Sequence, residues 1–162
     1  MTLAAPAQPK LAFVVSLILC LAAGGLGSFA TAAKIPTWYA TIAKPSWNPP
    51  NWIFGPVWTT LYILMAVAAW MIWMRADQPG AGRAMGWFGV QLILNTLWSF
   101  LFFGMQNPGA AFVEVVGLWL AIAVTIALFS RISPIAAWLL IPYIAWVSFA
   151  SCLNFTIWRL NS

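Results

Sequence analysis

The sequence predicts an all-α membrane protein, a bundle of five transmembrane helices with a long ordered loop between the first and second. Two observations carry this. Of 162 residues, 64% are hydrophobic and 6% are charged, against roughly 25% charged residues in an ordinary soluble domain. The apolar residues fall in five blocks, each near the length of about 20 residues that crosses a bilayer. The blocks run approximately from Leu11 to Ala33, Ile53 to Met74, Ala84 to Gly104, Ala110 to Phe129 and Ile135 to Trp158, and most of the Pro, Lys and Arg residues lie between them. Backbone amides in hydrocarbon must bond within their own segment. No block alternates as a barrel strand would, so the spans are helices.

The first span begins after Lys10 and resembles a secretory leader, but its apolar run of about 23 residues exceeds the 7 to 15 of a leader core. It is therefore taken as a transmembrane helix. Ala23, Gly27 and Thr31, and likewise Gly24, Ser28 and Ala32, recur every fourth residue. Small residues at that spacing let helix backbones approach closely, so this face is expected to pack on protein, within the chain rather than across a dimer.

Between the first two spans, residues 35–52 read IPTWYATIAKPSWNPPNW, with four prolines and four large aromatics. Proline restricts the backbone and aromatics supply apolar area. Such a loop can be ordered and can close over one end of the bundle, or it can lie in the headgroup layer.

The connections at 105–109 and 130–134 are short enough to make the helices they join antiparallel neighbours, and 75–83 forms a third turn. Residues 1–162 read as one domain. Five spans put the termini on opposite sides, with Lys10, Arg75, Arg83 and Arg131 on one and Lys34, Lys44 and Arg159 on the other. Four basic residues against three give a slight preference for a cytoplasmic N-terminus.

The net charge of +5 comes from residues flanking the spans, with no basic cluster to grip nucleic acid. There is no histidine, which removes the commonest general base and metal ligand. Asp77 and Glu114 lie too far apart in the topology to act as a pair. These features argue against a conventional hydrolase, a metalloenzyme or a proton-pumping relay. Cys20 and Cys152 differ in depth by roughly 10 Å at about 1.5 Å per residue, too far for a disulfide.

Twelve tryptophans are present. Trp52, Trp73, Trp87 and Trp158 lie near helix ends, where an aromatic belt accounts for them. Trp58, Trp98 and Trp146 are deeper. In the third span Gln91, Asn95 and Ser99 recur at every fourth position beside Trp98, and amides facing lipid are costly, so this stripe should face the interior. Trp58, Tyr62 and Met65 share a face of the second span, and Trp146, Ala150 and Leu153 a face of the fifth. Pro142 cannot donate a hydrogen bond, so the fifth helix should bend there. The pattern fits an aromatic-walled cavity with a few amides and hydroxyls, suited to a large, planar, mostly apolar ligand. Aromatic packing with interhelical hydrogen bonds and no ligand meets the same pattern.

Several motifs resemble one known family. They are Trp38-Tyr39, Lys44-Pro45-Ser46-Trp47-Asn48-Pro49-Pro50, Phe54-Gly55-Pro56-Val57-Trp58-Thr59 and Leu61-Tyr62. To these add Asn95-Thr96-Leu97-Trp98-Ser99, Phe102-Phe103-Gly104, Pro142-Tyr143, Trp146, Ala150 and Leu153-Asn154. Together they resemble the TspO/MBR family of tryptophan-rich sensory and translocator proteins, in order and over essentially the whole chain, and a bacterial member best.

The resemblance implies a five-helix bundle, usually a homodimer in the lipid bilayer, in an inner or outer bacterial membrane. It implies a pocket beneath the first loop for porphyrins (protoporphyrin IX or haem), sterol-like ligands and benzodiazepine-site ligands such as isoquinoline carboxamides. No cofactor is required beyond such a porphyrin ligand. Carried over by position, the pocket would use Tyr39 and Pro49 from the loop, Trp58, Asn95 and Trp98, and Trp146, Ala150 and Leu153. The sterol-recognition pattern of animal members places a tyrosine where Phe155 stands here, between Leu153 and Arg159, so sterol specificity is not supported. Glu114 occupies a position where relatives carry an aspartate, and a structural role is expected for it.

Three functions remain open on the sequence: tetrapyrrole binding with transport or regulation of tetrapyrrole metabolism, a ligand-responsive regulator acting through a partner protein, and light- and oxygen-dependent porphyrin degradation. In the last, Trp58 and Trp146 would be the photochemical residues, with no acid–base or metal chemistry.

Overall fold

The computed structural model describes residues 8–162. Helix α1 spans Pro9–Ala32, α2 is a single turn at Trp38–Thr41, and α3 spans Asn51–Trp73. Helix α4 spans Ala81–Ser99 and is prolonged by a π-helical turn at Phe100–Gly104. Helix α5 spans Pro108–Ser130, and the last crossing is divided into α6, Pro134–Leu139, and α7, Ile141–Leu160. Among the described residues, five crossings are long and apolar enough for a bilayer, Pro9–Ala32, Asn51–Trp73, Ala81–Gly104, Pro108–Ser130 and Pro134–Leu160. The protein is a multi-pass integral membrane protein.

Most crossings start two or three residues earlier than hydropathy alone suggests. Pro9, Pro108 and Pro134 open α1, α5 and α6, because the first turn of a helix has no use for their missing N–H and favours their fixed φ. The oxygens of Asn107 and Ser133 accept from the N–H of Ala110 at 3.0 Å and Ala136 at 3.4 Å, capping donors that the helices leave free. Ahead of α4, Gly80 takes φ of 88°, a left-handed conformation that glycine adopts at no steric cost.

The outer surface carries large apolar side chains such as Ile18, Phe29, Ile93, Val113 and Trp138, which hydrocarbon solvates and water would not. Of the small residues of α1, Ala23, Gly24 and Gly27 face inward within the chain, whereas Ser28 and Ala32 are exposed. Thr96 Oγ1 donates to the Ala23 carbonyl at 3.3 Å, and Gly27 lies against Ser99. Cys20 and Cys152 are free thiols, one buried and one exposed.

The break at Leu140 shapes the bundle. Pro142 stands in the first turn of α7, so the expected bend is a full interruption. Segment α6 packs on both α3 and α5, whereas α7 packs chiefly on α5. The last crossing thus begins against the second and diverges from it, and aromatic rings reach across the resulting gap: Phe54 to Trp146 at 5.9 Å and Trp58 to Tyr143 at 6.3 Å between centroids.

This topology makes an expected result. Single cysteines placed next to Lys10 and next to Arg159, in a background lacking Cys152, should be labelled by an impermeant maleimide from opposite sides of the membrane. Labelling from one side alone would remove a crossing.

Candidate ligand cavity

A cavity of about 530 Å³ lies in the gap, bounded by α1, α3, α4 and α7 and roofed by the first loop. It runs from Ile35 and Tyr39 in the loop to Tyr62 and Asn95 in the middle of the bundle. None of its lining residues carries a charge. The lining includes exposed positions on α1, such as Leu21, Gly25 and Ser28, and on α3, Gly55 and Thr59. The side wall between these helices therefore reaches the lipid-facing surface.

Of the residues singled out in the sequence, Tyr39, Trp58, Asn95, Trp98, Trp146, Ala150 and Leu153 all line this cavity. Pro49 does not. It is half-buried in the turn leading into α3, where its carbonyl accepts from Asn48 Nδ2 at 3.0 Å. Proline here shapes the loop, with Pro50 as the N-cap of α3. Glu114 is also absent from the lining; its carboxylate oxygens are buried on α5 without a hydrogen-bond partner.

The amides are committed to holding helices together. Asn95 Oδ1 accepts from the Tyr62 hydroxyl, Asn95 Nδ2 donates to the Tyr143 hydroxyl at 3.0 Å, and Tyr143 donates to Gln91 Oε1 at 2.8 Å. This buried network ties α3, α4 and α7 at mid-membrane, where no water competes for the bonds. Nearer the loop, Trp98 Nε1 donates to Asn154 Oδ1 at 2.9 Å, and Asn154 Nδ2 donates to the Pro108 carbonyl at 2.7 Å. The Trp98 ring stacks on Phe102 at 5.0 Å.

Residues 34–50 form a folded lid. The ring of Tyr39 is buried against Phe102 and Phe103, at 6.3 and 5.6 Å. Its hydroxyl donates to Asn48 Oδ1 at 2.8 Å. Burial pushes the Tyr39 phenol above its ordinary range, and the hydrogen bond to Asn48 acts in the opposite sense. Lys44 Nζ donates to the carbonyls of Tyr39 and Ile42 and lies 4.8 Å from the Tyr39 ring centroid. The dense prolines and aromatics thus build an ordered cover.

Residues that the sequence did not assign to the pocket also form the wall. Trp52, expected in an interfacial belt, is 74% exposed yet sits at the cavity rim. Phe102 and Phe103 reach the wall near the π-turn, which shifts the helical register. Gly24 provides space that a side chain would close, since an added Cβ would fall 2.5 Å from Tyr62 Cε2.

Fold and cavity define a helical membrane protein with a lidded, uncharged, aromatic chamber that reaches the lipid-facing surface. Residues 16–159 match the TspO/MBR family, and the chain belongs to that family. It is 48% identical over 147 residues to the Tryptophan-rich protein TspO of Chlorobaculum tepidum, covering 88% of this chain and 91% of that protein. A protein of the same name from Archaeoglobus fulgidus is 45% identical over 152 residues, 94% of this chain and 98% of the relative. The Translocator protein of Sus scrofa is 41% identical over 140 residues, 85% and 83% respectively.

Proposed function

We propose that the cavity binds tetrapyrroles, with protoporphyrin IX as the representative ligand, and that the protein serves their movement or regulation in the membrane. The observation that carries this reading is a chamber of about 530 Å³ with aromatic walls and no charged residue, set within the bilayer span. A planar conjugated ring gains most from stacking on flat apolar walls. A side wall that includes exposed positions on α1 and α3 suits a ligand that partitions into lipid before it binds. Sterol-like and benzodiazepine-site ligands meet the same chemistry, and a homodimer belongs to the same proposal.

Titration of the purified protein with protoporphyrin IX tests the reading through tryptophan emission. Saturable quenching is expected, and its absence would sink the proposal. Ala150 lines the cavity on α7, and Thr there adds volume and a hydroxyl that bonds back to the helix, bending it slightly. Ala150→Thr should weaken porphyrin binding by several-fold to tenfold, the scale of roughly 1 kcal/mol, with the melting temperature retained. Unchanged affinity would remove this face of α7 from the site.

A second reading is favoured by one feature: Trp58 and Trp146, both oxidisable indoles, line the same chamber. Excited porphyrin, dioxygen and these indoles would then support oxidative ring opening. Parallel incubation in light and darkness decides it. New pigment products in light that disappear in Trp58→Phe and Trp146→Phe variants support degradation, and identical spectra in both conditions exclude it.

A further inference from the structure

Asn161, the residue that follows α7, hydrogen-bonds to a loop residue 118 positions earlier in the chain. The N–H of Ala43 donates to Asn161 Oδ1 at 3.0 Å, and Asn161 Nδ2 donates back to the Ala43 carbonyl at 2.9 Å. The same Nδ2 also donates to the Ile157 carbonyl of its own helix at 2.7 Å. One side-chain amide thus engages both backbone groups of one residue, as a neighbouring strand would, and is itself oriented by α7.

Among the described residues the lid has no other attachment of this kind. Its remaining hydrogen bonds lie at the hinges or are internal, such as Tyr39 to Asn48, Lys44 to Tyr39 and Ile42, and Asn48 N–H to the Pro45 carbonyl. Apart from the hinges where it joins α1 and α3, the Asn161 pair are the only hydrogen bonds between the lid and the bundle among the described residues. Everything else is apolar contact, with Trp38 on Phe102 and Phe103 and Trp47 on Phe149. Apolar contact lacks direction and tolerates sliding, whereas a paired amide fixes position.

The latch is also placed where release is easy. Ala43 and Asn161 are exposed, so water can replace both bonds as they break. The cavity-lining positions Trp146, Ala150, Leu153 and Ile157 belong to the helix that carries the latch. Asn161 is not in the lining itself.

We propose that Asn161 is the latch of the lid, a positioning residue that sets how fast a ligand enters and leaves the cavity without holding the ligand. Only its kinetic consequence rests on the cavity being a ligand site; lid opening is a property of the unliganded protein. In Asn161→Ala both bonds are lost. In Asn161→Asp the carboxylate still accepts from the Ala43 N–H and cannot donate to the carbonyl.

Backbone hydrogen exchange of residues 36–50, measured on the unliganded protein in detergent or nanodiscs, should accelerate about tenfold in Asn161→Ala and less in Asn161→Asp. Exchange in the cores of α3 and α5 should stay unchanged. Stopped-flow mixing with protoporphyrin IX should show association and dissociation both faster by a similar factor, with Kd within about twofold. Unchanged lid exchange in both variants would overturn the latch. So would uniform acceleration in all helices, which would mean general destabilisation. A loss of affinity carried by dissociation alone would mean that Asn161 holds the ligand or the cavity wall, and would overturn it too. Failure of wild type to bind protoporphyrin IX would defeat the ligand reading, and the exchange comparison would still decide the latch.

Discussion

Replacing Trp58 or Trp146 with alanine is expected to cost about 1 to 3 kcal/mol of porphyrin affinity each, the scale of stacking an aromatic ring on an indole, or roughly tenfold per 1.4 kcal/mol. Trp58 meets Tyr62 at 5.7 Å and Trp146 meets Phe54 and Phe149 at 5.9 and 5.4 Å, so each indole forms part of a continuous aromatic wall. Phenylalanine keeps a flat face and should lose less. The emission of both tryptophans should be quenched by bound protoporphyrin IX, since ring and indole would be nearly in contact. Trp87 and Trp138 are 39% and 71% exposed and lie outside the cavity, so their alanine variants should bind normally. Trp146 also bridges α3 and α7 through Phe54. Thermal unfolding should therefore accompany each titration. Equal weakening by the two exposed controls would show that tryptophans act on stability in general, and the pocket assignment would fall.

Gly24→Ala should produce the second large effect, in stability and binding together. The added Cβ would lie 2.5 Å from Tyr62 Cε2 and 2.8 Å from Cδ2. Tyr62 is buried, and its hydroxyl is fixed by Asn95. Overpacking of this kind costs about 1 to 3 kcal/mol, and because Tyr62 lines the cavity, a ring displaced away from α1 takes up cavity volume. A lowered melting temperature and porphyrin binding weakened tenfold or more, the scale of 1.4 kcal/mol and above, are expected. Gly117→Ala is the control, because nothing lies within 4 Å of a Cβ added there and Gly117 is outside the cavity lining. If the two variants melt and bind alike, close contact between α1 and Tyr62 is not what shapes the chamber.

The candidate site was legible where one residue's chemistry clashes with its solvent. Gln91 and Asn95 are amides in an apolar helix, which places them inside wherever the partners lie, and they are 1% and 4% exposed. Trp146, Ala150 and Leu153 share a helical face, and they share a wall. Legibility failed where position depends on something other than helical period. Trp52 fits the interfacial rule and sits at the rim as well. Phe102 and Phe103 lie in the π-turn at the end of α4, where the Met105 N–H bonds to the Phe100 carbonyl at 2.7 Å. A wheel of 3.6 residues per turn cannot place them. Pro49 belongs to the right loop but not to its inner face.

What the sequence determined by itself was the solvent, the number of crossings and the identity of the inward amides. Transfer of a segment into hydrocarbon depends on its own composition, and helical hydrogen bonds close within four residues, so neither needs knowledge of the rest of the chain. Family membership was legible for a related reason, since its motifs are short local strings. The tertiary structure alone decided which neighbour the last crossing leaves after its break, the contact of Gly24 with Tyr62, and the pairing of Ala43 with Asn161. Each depends on residues far apart in the chain being brought to within bonding or contact distance. Packing of that kind is set by the shapes of facing surfaces rather than by the periodicity of either helix.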